Sequence, residues 1–176
     1  MKIVILAGGL GTRLSEYTKS VPKPMVKINK LPMLIHIMKI YIKFGHRHFY
    51  IAAGYKKKVI ENYFKNFSKN GKIFQEKLFK KNCYINILNT GKNYMTGGRL
   101  KRLKKFLTET FLLTYGDGLS NINLTKLIRF HKKNKKLITL TAVRPPARFG
   151  VIKIKGNYVK YFKEKNLLDS GWINGG

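Results

Sequence analysis

Acidic residues are scarce in this chain. Seven Asp and Glu stand against 37 Lys and Arg, a formal net charge of +30 at pH 7. With so few carboxylates, any that stands at a chemically loaded position is a candidate metal ligand. Cysteine is rarer still: Cys83 is alone, which excludes an internal disulfide framework, and no Cys/His cluster has the spacing of a zinc site. His36, His46, His48 and His131 are scattered, and the His46-x-His48 pair, between a helical and a strand pattern with no third ligand nearby, reads as surface. No apolar run approaches the ~20 residues of a membrane span. The apolar stretch at Ile3–Ala7 is too short for the core of a signal peptide and runs into glycines, not into a small-residue cleavage site. It is read as a first β-strand, and the protein is expected to be cytoplasmic. Low-complexity linkers and internal repeats are absent as well.

What is there is a globular composition, 44% hydrophobic and 12% aromatic over 176 residues, enough for one domain with its own core over residues 1–176. A balance this basic ordinarily suggests nucleic acid or an anionic surface. Here the basic residues are spread along the whole length, and they are overwhelmingly lysine in the company of Asn, Ile, Phe and Tyr. All five have A/T-rich codons, so genomic drift accounts for the charge. A basic nucleic-acid-binding domain is the alternative from another functional class. Salt-sensitive binding to duplex DNA would favour it.

Strand and helix patterns alternate. Ile3–Ala7 is continuously apolar, as a strand buried on both faces must be, and ends at Gly8-Gly9. Pro32 opens a helix on which Leu34, Ile35, Met38, Tyr41 and Ile42 recur until Gly45. Phe49–Ala53 is a second strand ended by Gly54, and Val59, Ile60, Tyr63, Phe64 and Phe67 mark one face of a second helix. Within the irregular stretch 68–90, Tyr84–Leu88 is a strand. Gly97–Phe106 is helical with Leu100 and Leu103 inward, Thr110–Tyr115 is a strand stopped by Gly116-Asp117-Gly118, and Asn123 caps a helix carrying Leu124, Leu127, Ile128 and His131. Ile138–Val143 is a strand, and Gly156-Asn157 turns a hairpin. The pattern implies an α/β fold, a mostly parallel, Rossmann-like sheet in three layers. Ligands of such sheets bind at the carboxyl ends of the strands. Gly8–Arg13, Gly54-Tyr55 and Gly116–Gly118 all fall there.

Leu6–Leu14 reads LAGGLGTRL. It lacks the Gly-Lys-Ser/Thr of a Walker A loop, and Leu14 stands where the dinucleotide fingerprint needs Gly or Ala. Serial glycines let backbone N–H groups converge on an anion, and Arg13 adds a fork suited to phosphate. Lys23, stiffened by Pro22 and Pro24, supplies a second cation. The segment is a phosphate-binding loop of a nucleotide-using enzyme.

With these motifs the chain resembles the sugar-1-phosphate nucleotidyltransferases, and among them the glucose-1-phosphate cytidylyltransferases. LAGGLGTRL and PKPM (Pro22–Met25) match the wider group. HIMKIY (His36–Tyr41), Gly54-Tyr55, TGGRLKR (Thr96–Arg102), YGDG (Tyr115–Gly118), PPxRFG (Pro145–Gly150), FxEK (Phe162–Lys165) and INGG (Ile173–Gly176) follow in order over the whole chain. The resemblance implies the nucleotidyltransferase fold and conversion of CTP and α-D-glucose 1-phosphate into CDP-glucose and pyrophosphate, for nucleotide-sugar supply to surface polysaccharide such as O-antigen. UTP or dTTP with a related sugar phosphate is the alternative substrate set. By the same resemblance, Leu6, Gly8, Gly9, Gly11 and Thr12 hold the nucleotide, with Gly54, Thr96 and Gly97 at the base. Arg13 and Lys23 stabilise the leaving pyrophosphate, Asp117 holds Mg²⁺, and Glu164, Lys165 and Asn174 contact the sugar phosphate. Trp172 and the tyrosines are read as packing residues, and a homo-oligomer is implied for the family.

The chain departs from the family in three places. Asn166 follows Lys165 where proline is usual, and residues 68–90 are shorter and more basic than their counterpart. Family members also continue past the final glycine pair, with a further strand, more helices and a second metal-binding aspartate. An incomplete domain with little or no activity in isolation is therefore expected.

Overall fold

The protein is described by a computed structural model over residues 1–9, 20–65, 73–74, 83–144, 151–163 and 171–175. It divides into two compact units, 1–130 and 131–176.

The first unit is built on a sheet of five strands: β1 (Lys2–Ala7), β4 (His48–Ala53), β5 (Ile73–Phe74), β6 (Cys83–Asn89) and β7 (Leu112–Tyr115). Their order is β5-β6-β4-β1-β7, parallel except for the short edge strand β5. Between β1 and β4 lie the small hairpin β2 (Lys27–Ile28) and β3 (Leu31–Pro32) and the helix α1 (Met33–Lys43). The other helices are α2 (Lys57–Lys65), α3 (Thr96–Arg102) and α4 (Leu124–Asn134).

Alternation along the central strands distributes their side chains to two faces. Ile3, Ile5, Phe49, Ile51 and Ile85 join Leu34, Ile35 and Met38 of α1, Ile60 and Phe64 of α2 and Leu124 of α4 in one core. Val4 and Ala52 face the other way, with Leu100 of α3, Leu103, Phe106 and Phe111. Apolar residues on both faces of β1 and β4 are what helices on both sides demand. The three layers expected from the sequence are thus present. Pro32, extended at φ −56°, ψ 144°, precedes α1, and Asn123 caps α4 through Oδ1, which accepts from the Lys126 N–H at 3.0 Å. Both boundaries match expectation.

Two expected elements differ. The helix placed over Gly97–Phe106 ends at Arg102, and a separate 3₁₀ turn spans Lys104–Phe106. Leu103, buried at the break, anchors both pieces, so the inward residues are as expected while the axis is broken. Of Ile138–Val143 only β8 (Ala142–Val143) is a strand, paired with β11 (Ile173–Asn174) in the second unit, and Ile138 and Leu140 are exposed. The second unit also holds the expected hairpin of β9 (Val151–Lys155) and β10 (Tyr158–Lys163) about Gly156-Asn157. Phe67 and most of 68–82 lie outside the described residues. No described helix is long and apolar enough to cross a membrane.

Candidate nucleotide site

The chain leaves β1, adds β4 and β6 on one side, and returns to place β7 on the other. The sheet therefore reverses its direction of growth between β1 and β7. A reversal of this kind opens a crevice at the carboxyl ends of the two strands, where ligands of open α/β sheets bind. A cavity of about 250 Å³ lies there. Its walls are Leu6–Gly9 at the end of β1, Tyr115–Asp117 after β7, Lys23-Pro24, and Tyr94, Met95, Thr96 and Arg99 around the start of α3.

Register explains the convergence. Leu6 pairs with Ala52 and Tyr115, and Ala7 with Ala53, so Gly54 follows level with Gly8 and Gly116 one residue earlier, beside Ala7. The Gly116 N–H donates to the Leu6 carbonyl at 2.9 Å, and that of Tyr55 to the Gly8 carbonyl at 3.3 Å. Lys23 enters from the 3₁₀ turn Lys23–Met25, whose Pro24 and Met25 are buried. The Pro24 ring packs close against Gly116, which carries Lys23 to the neighbouring Asp117. Lys23 Nζ stands 3.3 Å from Asp117 Oδ2, with the two side chains 22% and 47% exposed. At such exposure the pair adds at most about 1 kcal/mol to stability, but it brings one mobile cation and one hard oxygen ligand to the floor of the cavity.

A residue to which the sequence assigned no role anchors the end of β1. Arg99 is 5% exposed. Its Nη1 donates to Thr90 Oγ1 and the Gly91 carbonyl, both at 2.7 Å. Its Nη2 donates to the Gly8 carbonyl at 2.7 Å and that of Lys92 at 3.2 Å. Thr90 Oγ1 in turn donates to the Ala53 carbonyl at 2.8 Å. One guanidinium thereby ties the end of β1 to the segment following β6. Burial lowers its pKa, yet a guanidinium stays charged at any ordinary pH. The only hint in the sequence is an arginine three residues into a short helix, on the side facing the sheet.

The glycines of the expected site now separate by role. Gly8 and Gly9 line the cavity, and a Cβ on Gly8 would overlap the Arg99 guanidinium. Gly54 lies behind Gly8, away from the cavity wall: a Cβ there would overlap the Gly91 carbonyl and come within 2.9 Å of the Gly8 oxygen. Thr96 lines the cavity, whereas Gly97, inside α3, has open space around it. Gly54→Ala is accordingly expected to cost about 2–3 kcal/mol by overpacking, while Gly97→Ala gains up to about 1 kcal/mol of helix propensity. Urea midpoints of the two variants check the contrast, and equal midpoints would refute it.

Gly11, Thr12 and Arg13 lie outside the described residues, as do Glu164 and Lys165. Asn174, in β11 of the second unit, pairs with Ala142.

The chain matches the family described as "Nucleotidyl transferase" over residues 2–174. It is 44% identical to glucose-1-phosphate cytidylyltransferase of Salmonella typhimurium, covering all of this chain and 73% of that protein. It is 34% identical to the D-glycero-alpha-D-manno-heptose 1-phosphate guanylyltransferase of Aneurinibacillus thermoaerophilus, again over all of this chain and 73% of the other. HddC from Yersinia pseudotuberculosis, solved in complex with GMP-PN, superposes with a TM-score of 0.65 at 26% identity, over 99% of this chain and 73% of that one. UTP-bound UGPase from Acinetobacter baumannii superposes with a TM-score of 0.71 at 16% identity, over 99% and 72%, a likeness of fold.

Proposed function

This chain belongs to the nucleotidyl transferase family, and from that premise we propose that its cavity takes CTP and α-D-glucose 1-phosphate and yields CDP-glucose and pyrophosphate. Nucleotidyl transfer to a sugar 1-phosphate is the chemistry named for the relatives above. The observation that carries the reading is Lys23 beside Asp117 in the cavity that Gly8 and Gly9 line. We further propose that the product supplies cytoplasmic nucleotide sugar for surface polysaccharide.

An oxygen of the sugar phosphate bonds to the α-phosphorus in line, the bond from that phosphorus to the β-phosphate's bridging oxygen breaks, and pyrophosphate leaves with the electron pair. The nucleophile is already anionic near neutral pH, because a phosphate monoester's second pKa is about 6. The chain's task is positioning and charge neutralisation. Gly8 and Gly9, with Gly11 and Thr12, cradle the phosphates through backbone N–H groups. Lys23 and Arg13 meet the charge that builds on the leaving group. Of the residues proposed for the base, Thr96 lines the cavity, Gly54 supports Gly8 from behind and Gly97 lies in the helix that carries Thr96. By the family resemblance, Glu164, Lys165 and Asn174 are assigned to the sugar phosphate, Lys165 to its charge.

A divalent cation fits the residues present. Asp117 offers a half-exposed carboxylate whose nearest charged neighbour is an ammonium, itself a cation standing where one is to be held. Mg²⁺ is characteristically bound by one or two carboxylates together with substrate phosphates. Bound there, it would supply positive charge to the phosphates, and Asp117 would be the described residue that holds it.

Thermal unfolding with CTP, UTP, GTP or dTTP in the presence of Mg²⁺ tests the base. CTP at about 100 times its Kd is expected to add about 2.7 kcal/mol of stability, with the other three giving smaller shifts at equal concentration. A larger shift with UTP or dTTP would transfer the assignment to that nucleotide, and no shift with any would refute it.

A further inference from the structure

Tyr94 is large, aromatic and 44% exposed, yet it is not loose. The Arg102 guanidinium lies over its ring, 4.1 Å from the centroid, and Arg102 Nη2 donates to the Tyr94 hydroxyl oxygen at 2.6 Å. Two glycines make room for it. A Cβ on Gly91 would come within 2.7 Å of the ring's Cδ2, and one on Gly98 within 3.0 Å of Cδ1. The ring lines the cavity beside Met95 and Thr96. An exposed aromatic side chain is ordinarily free to change rotamer within nanoseconds. Here Arg102 engages the hydroxyl and one face, and the ring sits between two glycines that leave it room, which fixes the plane of an apolar surface in the cavity wall.

We propose that Tyr94 is the stacking platform of the nucleobase, with Arg102 on one face of the ring and the base on the other. The proposal rests on the nucleotide-binding reading above and adds to it a residue that sets affinity for the base. Any base presents a π-face, so stacking strengthens nucleotide binding without choosing among bases. Choice is left to groups that meet the base edge. The guanidinium polarises the ring and orients it, which makes Arg102 a positioning residue that touches no substrate.

Isothermal titration with CTP and with inorganic tripolyphosphate, each with Mg²⁺, separates the base from the phosphates. Tyr94→Leu is expected to weaken CTP about tenfold, as loss of one stacked base does, and to leave tripolyphosphate unchanged. Tyr94→Phe keeps the ring and retains most of the CTP affinity. Arg102→Gln falls between the two. Equal losses for CTP and tripolyphosphate in Tyr94→Leu would reduce Tyr94 to a packing residue, and unchanged CTP affinity would remove it from the base site. Either result overturns the platform while leaving the nucleotide site standing. A wild-type chain that bound neither ligand would overturn the nucleotide site and the platform with it.

Discussion

Arg99→Met is expected to lower the free energy of unfolding by about 2–4 kcal/mol, since hydrogen bonds donated by a charged group are worth about 1.5–3 kcal/mol each. Methionine keeps roughly the volume and length of the side chain, so packing changes little. What disappears is a set of four donated hydrogen bonds, to Thr90 Oγ1 and the carbonyls of Gly8, Gly91 and Lys92. The Gly8 carbonyl retains the Tyr55 N–H at 3.3 Å, but the Gly91 and Lys92 carbonyls lose these donors. A buried acceptor left unpaired costs about 1–3 kcal/mol, and these two, being only partly covered, lose less because water replaces part of the bond. Since a domain has only about 5–15 kcal/mol in all, the variant should be partly unfolded at physiological temperature. Arg99→Lys keeps the charge but replaces a planar fork with a point donor, and recovers only part of the loss. Urea denaturation followed by far-UV circular dichroism measures both, and a loss below about 1 kcal/mol for Arg99→Met would show that the carbonyls find other donors.

Asp117→Asn should separate binding from stability in the opposite sense. Its ion pair with Lys23 is too exposed to contribute more than about 1 kcal/mol, so the unfolding midpoint should scarcely move. Its effect on CTP should depend on the metal. With Mg²⁺ the variant loses the carboxylate that couples metal to nucleotide, and CTP affinity falls by a factor within the ordinary range of coupling between sites, about 5–150-fold. Without Mg²⁺ the sign reverses. Asparagine no longer repels the triphosphate and no longer engages Lys23 as a charged partner, so CTP binds as tightly as to the wild type or more tightly. Titrations with Mg²⁺ and with EDTA give the two comparisons. Parallel losses in both would mean that Asp117 acts on the nucleotide directly and holds no metal.

Some of this molecule is legible in its sequence because the cause is local. The end of β1 is marked by the glycines that follow it, the start of α1 by Pro32, and the start of α4 by a side chain that reaches its own third neighbour. The core faces follow from periodicities of two and 3.6. Arg99 is different. Its partner Gly8 is 91 residues away, and nothing within a short window says that a basic residue in a basic chain will be buried. The break at Leu103 is equally opaque, because Leu100 and Leu103 keep helical spacing on both sides of it. Ile138–Val143 has the composition of a strand. A strand also needs a partner edge, and in the second unit only Ala142–Val143 meets one, at Ile173–Asn174. The hairpin turn at Asn29-Lys30, with φ of 47° and 69°, escaped notice for want of a glycine.

The strand order has a consequence for how the protein is made. β1 is synthesised well before one of its two neighbours, β7, which lies more than a hundred residues downstream. At about 5–20 residues per second, that edge of β1 waits about 5–20 s on the ribosome for its partner. During this interval the Gly8-Gly9 end of β1 is in place, but Asp117 does not yet exist, and the crevice has only one wall. Ligand capture therefore comes after the slowest, most non-local pairing of the sheet. A nucleotide present in the cell would act as a lock on the pairing of β1 with β7.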